Sequence, residues 1–228
     1  MRIIFVRHGQ AVGNARGELQ GRRDHPLTQL GRAQAERTAE ALSATPGVVA
    51  LYVSSLTRAR QTAEPIGRVL ELGAFDVPDL MEADLGLVTG RTWEEASREN
   101  PDWAARISAR QDGSVIEELW PGGELTSVFR GRCQAAALSI AESLSRSEDA
   151  VGNAISHADE VPNGEPTAIV VAHSGSIIWA IAGLLGDSPD NWPSYRLPPA
   201  SITELRKVGA SWVVLRLGET SHLAELSG

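Results

Sequence analysis

The run Ile3-Ile4-Phe5-Val6 breaks directly into Arg7-His8-Gly9. A β-branched and aromatic run this short reads as a buried strand. Its charged exit then lies where a strand ends, and in open α/β sheets ligands bind at the carboxyl ends of strands. The pattern recurs far down the chain. Ala168-Ile169-Val170-Val171-Ala172 ends in His173-Ser174-Gly175, and the apolar run from Val48 to Val53 ends in Ser54-Ser55-Leu56-Thr57-Arg58. If the three strands are parallel neighbours, Arg7, His8, Arg58 and His173 converge on one pocket. Two guanidiniums and two imidazoles suit a tetrahedral dianion, because the planar fork of arginine matches phosphate oxygens.

The rest of the pattern gives an α/β fold. Strands are expected at residues 2–6, 48–53, 168–172, 201–206 and 212–217, with a weaker one near 75–81. Helical patterns run from Thr28 to Ser43, from Leu56 to Glu71, from Glu124 to Leu144 and from Ser174 to Leu185. Thr28 has the chemistry of an N-cap. Strands alternating with helices imply a mostly parallel sheet covered on both faces, a three-layer α/β/α sandwich. The 228 residues make a single domain of ordinary core size. Residues 145–166 are polar and carry Gly152, Pro162, Gly164 and Pro166, which reads as a long loop.

Composition excludes several classes of function. Net charge is −8, from 21 basic and 29 acidic side chains, so no broad basic face is available for nucleic acid. The longest apolar stretch, Ile177 to Leu185, is too short to span a bilayer, so no membrane partner is expected. Residues 1–6 read as a strand and not as a secretory segment. Cys133 is the only cysteine, which rules out an intrachain disulfide and a cysteine metal cluster. Neither His-x-x-x-His nor Glu-x-x-His spacing is expected to supply a metal site, His25, His157 and His222 read as isolated, and no metal or other cofactor is called for. A cytoplasmic location is the default. The first 40 residues hold seven arginines against four carboxylates, a local positive field that draws small anions. Arg16 and Arg22 are weaker ligand candidates than Arg7 and Arg58. The apolar C-terminal strands could provide the edge of a homodimer.

The segment Arg7-His8-Gly9-Gln10, followed by Asn14, Leu19-Gln20-Gly21, Asp24, Pro26-Leu27-Thr28, Gly31 and Gln34-Ala35, resembles the first block of the histidine phosphatase superfamily, the phosphoglycerate mutase-like clan. Ser54-Ser55-Leu56 with Arg58-Ala59 and Gln61-Thr62-Ala63 looks like its second block. Leu80-Met81-Glu82 with Gly86 and Gly90 looks like its acid-bearing segment, and Pro121-Gly122-Gly123-Glu124 and the turn at His173 complete the order. The resemblance covers residues 1 to about 206. It implies that residues 78–122 are a small insertion capping the pocket. It also implies a phosphomonoester hydrolase of the phosphatase branch that acts on a small phosphorylated metabolite through a phosphohistidine.

Roles follow residue by residue. His8 is the expected nucleophile, since neutral imidazole can take up a phosphoryl group and split one hard displacement into two. Glu82 is the expected general acid and base. Asp84 is its rival, because residues two apart share a face of an extended segment. Arg7, Arg58 and His173 are expected to bind phosphate, and Asn14, Gln20 and Gly21 to add neutral contacts. The chain departs from its relatives at Ala11, where a Ser or Thr is usual, at Val88-Thr89-Gly90, where Trp-Glu-Gly is common, and at Ser174, where many members have glycine. Gly13 stands where the glycerate mutase pattern has a tryptophan just before the asparagine. A mutase of the phosphoglycerate type is therefore the second reading, and a phospholigand-binding module without catalysis the third. Trp93, Trp103 and Trp120 fall in the expected cap, where an aromatic could stack on substrate or serve packing alone.

Overall fold

The computed structural model describes residues 1–109, 116–154, 164–186 and 197–226. The strands are β1 (Arg2–Arg7), β2 (Val48–Val53), β3 (Ala74–Asp76), β4 (Thr167–Ala172), β5 (Ile202–Val208) and β6 (Ser211–Glu219). The helices are α1 (Val12–Ala15), α2 (Gln29–Leu42), α3 (Thr57–Leu70), α4 (Trp93–Glu99), α5 (Pro101–Ser108), α6 (Thr126–Ala154) and α7 (Ser174–Leu185). The strands form one six-stranded sheet in the order β3-β2-β4-β1-β5-β6. The β3-β2, β2-β4 and β4-β1 pairings are parallel, and those of β5 with β1 and with β6 are antiparallel.

Period-two alternation along the strands builds the three layers. Ile3 and Phe5 of β1 face a cluster with Ala137, Ile140 and Leu144 of α6 and Ile177, Ile181 and Leu184 of α7. Ile4 and Val6 face the opposite side, against Ala39 and Leu42 of α2 and Ala59, Ala63 and Ile66 of α3. All six residues of β4 are buried. That is why its sequence is a continuous apolar run rather than an alternating one. Each fully buried Ile, Val or Phe here contributes roughly 1.5–3 kcal/mol over leaving it in water.

Thr28 caps α2 as anticipated, its Oγ accepting from Gly31 N–H at 3.0 Å. Three expectations need correction. The strand near 75–81 stops at Asp76, because Pro78 has no N–H to give a ladder and opens a 3₁₀ turn, Pro78–Leu80. The helix expected from Glu124 starts at Thr126 and runs through Ala154, past Leu144. The first ten residues of the loop expected over 145–166, residues 145–154, are therefore helix. Gly152 sits within that helix, where glycine costs only about 1 kcal/mol against alanine. Residues 155–163, with His157, Asp159 and Glu160, lie outside the described residues.

Residues 78–122 contain a second 3₁₀ turn, Gly86–Val88, and then α4 and α5. Leu85, Val88, Ala96 and Trp103 from this stretch form one apolar cluster with Phe129, Cys133 and Trp179. Strand β6 is an edge of the sheet and exposes Val213, Val214, Leu215 and Leu217. Among the described residues no helix is long and apolar enough to cross a membrane.

Candidate active site

Three adjacent strand ends build the site. His8 directly follows β1, and its N–H donates to Ala172 O of β4 at 2.9 Å. His173 directly follows β4 and is the N-cap residue of α7. Ser54 directly follows β2, its N–H on Val171 O at 2.9 Å. Because β4 lies between β1 and β2, the two imidazoles meet, with ring centroids 5.1 Å apart. Arg7 is the last residue of β1, and Arg58 enters from the first turn of α3.

Hydrogen bonds settle the state of His8. Its Nδ1 is 2.7 Å from the Gly9 carbonyl, which can only accept, so Nδ1 carries the proton. Nε2 keeps its lone pair and receives a hydrogen bond from Arg58 Nε at 3.2 Å. Burial, then the charges of Arg58 and Arg7, hold the His8 pKa well below the usual histidine range. His173 is pushed the same way by burial and then by Arg58. Its Nε2 meets Ser54 Oγ at 2.7 Å, a partner the sequence reading missed, and its Nδ1 is buried without a partner.

Arg58 is 1% exposed. A buried cation is costly unless its donors are met. Besides His8, it donates to Gly21 O at 2.7 Å and Arg23 O at 2.9 Å. Burial chiefly pulls its pKa down to about 10, which still leaves it charged at neutral pH. Gly21 thus acts through its carbonyl, and its φ of +51° suits glycine. Arg7 donates through Nη1 to Leu197 O, while its Nε is buried and unpartnered. Among the described residues no carboxylate lies within ion-pair distance of either guanidinium. Two guanidiniums without a carboxylate partner, one of them with an orphaned Nε, line one cavity and make a seat for an anion; His173 lies fully buried behind His8 and does not itself line that cavity.

That cavity, about 230 Å³, is lined by Arg7, His8, Arg58, Asn14, Gln20 and Gly21, and further by Glu18, Leu19, Glu82, Ala83, Leu85, Trp120, Phe129, Ser174 and Gly175. Asn14 Oδ1 accepts from Ala11 N–H at 2.9 Å and so also shapes the short helix α1. Gln20 is buried with Oε1 unpartnered. Glu82 accepts from Gly175 N–H at 3.0 Å and from Ala83 N–H at 3.0 Å. A Cβ at 175 would lie 2.4 Å from Glu82 Oε1, so any side chain there would push this carboxylate from its place. Asp84, the rival acid, instead accepts from Gly86 N–H at 3.0 Å and does not line the cavity.

Several other candidates find different partners. Arg16 and Arg22 do not line the cavity; Arg16 pairs with Glu18 and Arg22 with Glu124. His25 is not isolated, its Nε2 lying 3.0 Å from Glu18 Oε2. Glu219 and His222 do stand at Glu-x-x-His spacing, which the sequence reading overlooked, but no third possible metal ligand gathers with them among the described residues. Glu219 accepts from Ser221 N–H, while His222 Nε2 lies 3.1 Å from both Thr38 Oγ and Ala200 O. The three tryptophans form a chain of ring contacts, Trp93 to Trp103 at 5.1 Å and Trp103 to Trp120 at 6.1 Å. Trp103 is core, Trp93 is exposed, and only Trp120 of the three reaches the cavity.

The family model of the histidine phosphatase superfamily (branch 1) matches residues 3–220. The chain belongs to this superfamily. It is 28% identical to the protein named "Probable phosphoglycerate mutase GpmB" of Yersinia enterocolitica, over 98% of this chain and 95% of that one. It is also 28% identical to the metal-independent phosphoserine phosphatase of Arabidopsis thaliana, over 98% of this chain and 84% of that one. Among solved structures, mycobacterial glucosyl-3-phosphoglycerate phosphatase in complex with VO3 superposes with a TM-score of 0.78 at 27% identity, covering 96% of this chain and 99% of that one. Ala11, where the resemblance implies Ser or Thr, is fully buried and bridges Leu27, so no hydroxyl is offered there.

The lowered pKa values have a testable sign. Both imidazoles stay neutral in the folded protein at pH values where a free histidine, near 6.5, takes up a proton. The unfolded chain then binds more protons, so stability falls as pH drops below about 6.5. In histidine Cε1–H NMR spectra, the His8 and His173 signals are expected to show no titration midpoint in the ordinary histidine range, their midpoints lying well below it. A midpoint near 6.5 for either ring would contradict this electrostatic account.

Proposed function

We propose that this protein is a metal-independent phosphomonoester hydrolase that acts on a small phosphorylated metabolite through a phosphohistidine at His8. The observation that carries the reading is the Nδ1–H tautomer of His8, with its Nε2 lone pair beside Arg58 in an anion seat. In the first step His8 Nε2 attacks phosphorus and the P–O bond to the leaving group breaks. Glu82 gives its proton to the departing alkoxide. In the second step Glu82 takes a proton from water, the water oxygen attacks phosphorus, and the N–P bond breaks to release phosphate and neutral His8. Arg7, Arg58 and His173 hold the non-bridging oxygens as charge spreads over them. Leu85 and Trp120 of the expected cap, with Leu19 and with Phe129 of α6, form the wall that a leaving group would meet. A cavity of about 230 Å³ is smaller than the roughly 300–1,000 Å³ of pockets for drug-sized ligands, which favours a small metabolite.

A phosphoglycerate-type mutase is the second reading, supported by the Yersinia relative. Gly13 argues against it. A Cβ at this position would lie 2.4 Å from Gln20 Cγ, so the tryptophan of the glycerate mutase pattern would have to displace the Gln20 side chain. The test is phosphate release from an aryl phosphate and from a panel of phosphorylated metabolites, without a bisphosphate primer. Release supports the hydrolase. Isomerisation of phosphoglycerate without release supports the mutase, and neither activity leaves a binding module.

Arg7→Ala or Arg58→Ala is expected to cost on the order of 2–4 kcal/mol in transition-state stabilisation, comparable to removing one oxyanion donor. Vanadate inhibition is expected to weaken in parallel. Wild-type kcat/KM in Arg58→Ala would show that this guanidinium does not serve the reacting phosphoryl group.

A further inference from the structure

Glu82 stands on a segment with no strand partner, between the 3₁₀ turns Pro78–Leu80 and Gly86–Val88. Arg132 of α6 grips that segment. Its Nη1 donates to Asp79 O and to Met81 O, each at 2.6 Å, and its Nη2 donates to Glu82 O at 3.1 Å. Its Nε and Nη2 also meet the two carboxylate oxygens of Glu124, each at 2.8 Å. Glu124 accepts in addition from Arg22 Nη2 at 3.1 Å, and Arg22 Nε donates to Glu82 O at 3.3 Å. The Arg132 side chain is only 13% exposed. Burial pushes the Glu124 carboxyl up, but the hydrogen bond and charge of Arg132, with the charge of Arg22, outweigh it and hold Glu124 below the usual carboxylate range.

The turn before α6 completes the brace. Glu124 N–H donates to Asp84 O at 2.9 Å. A Cβ at Gly123 would lie 2.4 Å from that same oxygen, and one at Gly86 would lie 2.3 Å from Pro121 O. Only glycine lets these two backbones touch. The Pro121-Gly122-Gly123-Glu124 motif, which touches the cavity nowhere in its own right, therefore packs main chain to main chain on the acid-bearing segment.

We propose that Arg132, locked by Glu124, is a positioning residue for Glu82, fixing where its carboxyl stands relative to the leaving-group oxygen. This rests on Glu82 acting as the general acid. The carboxylate's own two contacts are Ala83 N–H, which moves with the segment, and Gly175 N–H, which does not. Of the side chains that hold the segment's carbonyls, Arg132 alone grips three of them, Asp79, Met81 and Glu82, directly around the acid, and a misplacement of about 1 Å can cost about 10²-fold in rate. A lysine cannot replace this fork, since its single ammonium cannot span three carbonyls and a carboxylate.

The experiment measures kcat/KM for an alkyl phosphate and an aryl phosphate in wild type, Arg132→Ala, Glu82→Gln and the double variant. Arg132→Ala is expected to lose about 10²-fold on the alkyl ester and to stay within about threefold on the aryl ester, whose leaving group needs little protonation. In the Glu82→Gln background the same substitution is expected to cost no more than about threefold on either ester, because residues acting through one another are non-additive. Equal loss on both esters, or an undiminished loss in the Glu82→Gln background, would overturn the proposal in favour of a merely structural role. Should Arg132→Ala fail to fold, Glu124→Gln unlocks Arg132 without opening a cavity and is held to the same two criteria. If Glu82→Gln itself shows no leaving-group dependence, the acid assignment falls and takes this inference with it; if it does and Arg132→Ala does not, only the inference falls.

Discussion

His8→Ala is expected to reduce phosphate release to background on every substrate, activated aryl esters included. The substitution removes the imidazole lone pair of Nε2, and no protonation or leaving-group change can substitute for the missing N–P bond. The fold is expected to survive, because His8 lies beyond the end of β1 and contributes none of the apolar contacts of the two faces of the sheet. The exposed consequence is a buried Arg58 Nε without its acceptor, a loss of about 1–3 kcal/mol. Circular dichroism and thermal melting separate the two effects: a wild-type spectrum with a modestly lower Tm and no turnover is expected. Residual turnover near wild type would show that the phosphoryl group passes through another atom.

Glu82→Gln is expected to have the second largest effect, and one that depends on substrate. General acid catalysis supplies roughly 10²–10⁴-fold, and an alkyl leaving group draws on all of it. kcat/KM on alkyl phosphates is therefore expected to drop by about that factor, while kcat/KM on a good aryl ester changes little. The second step needs the same carboxyl as a base, so kcat is expected to fall for both esters and phosphoenzyme to build up. Asp84→Asn is expected to do neither, since Asp84 holds Gly86 N–H and does not line the cavity. A leaving-group series on the two variants checks this. Steep dependence in Asp84→Asn and none in Glu82→Gln would move the acid two residues along.

Much of this site is legible in the sequence because the strands are. Ile3 to Val6, Val48 to Val53 and Ala168 to Ala172 are apolar runs that leave few alternatives to buried strands, and each places its charged exit at a strand end. The convergence of Arg7, His8, Arg58 and His173 then needs only that β1, β4 and β2 be parallel neighbours, which they are. Glu82 came from family spacing, not from periodicity, and its segment is irregular in the structure as well. What the sequence hides are partners set by tertiary contact. Arg132 lies 50 positions from Glu82 on a helix whose pattern says nothing about which backbone its guanidinium will reach. Ser54 looks like any serine at a strand exit until β2 and β4 are seen side by side. The helical residues after Leu144 carry serine, glycine and acidic residues that read as loop, and only packing of the earlier turns extends the helix through them.

The central claim, phosphoryl transfer through His8 Nε2, is tested most directly by trapping the intermediate. Glu82→Gln is mixed with an aryl phosphate, quenched without acid and digested for mass spectrometry. A single phosphoryl adduct on His8 is expected, approaching one per chain and absent from Glu82→Gln carrying His8→Ala. A phosphoryl group on His173, or a burst of aryl alcohol with no adduct on His8, would contradict the account.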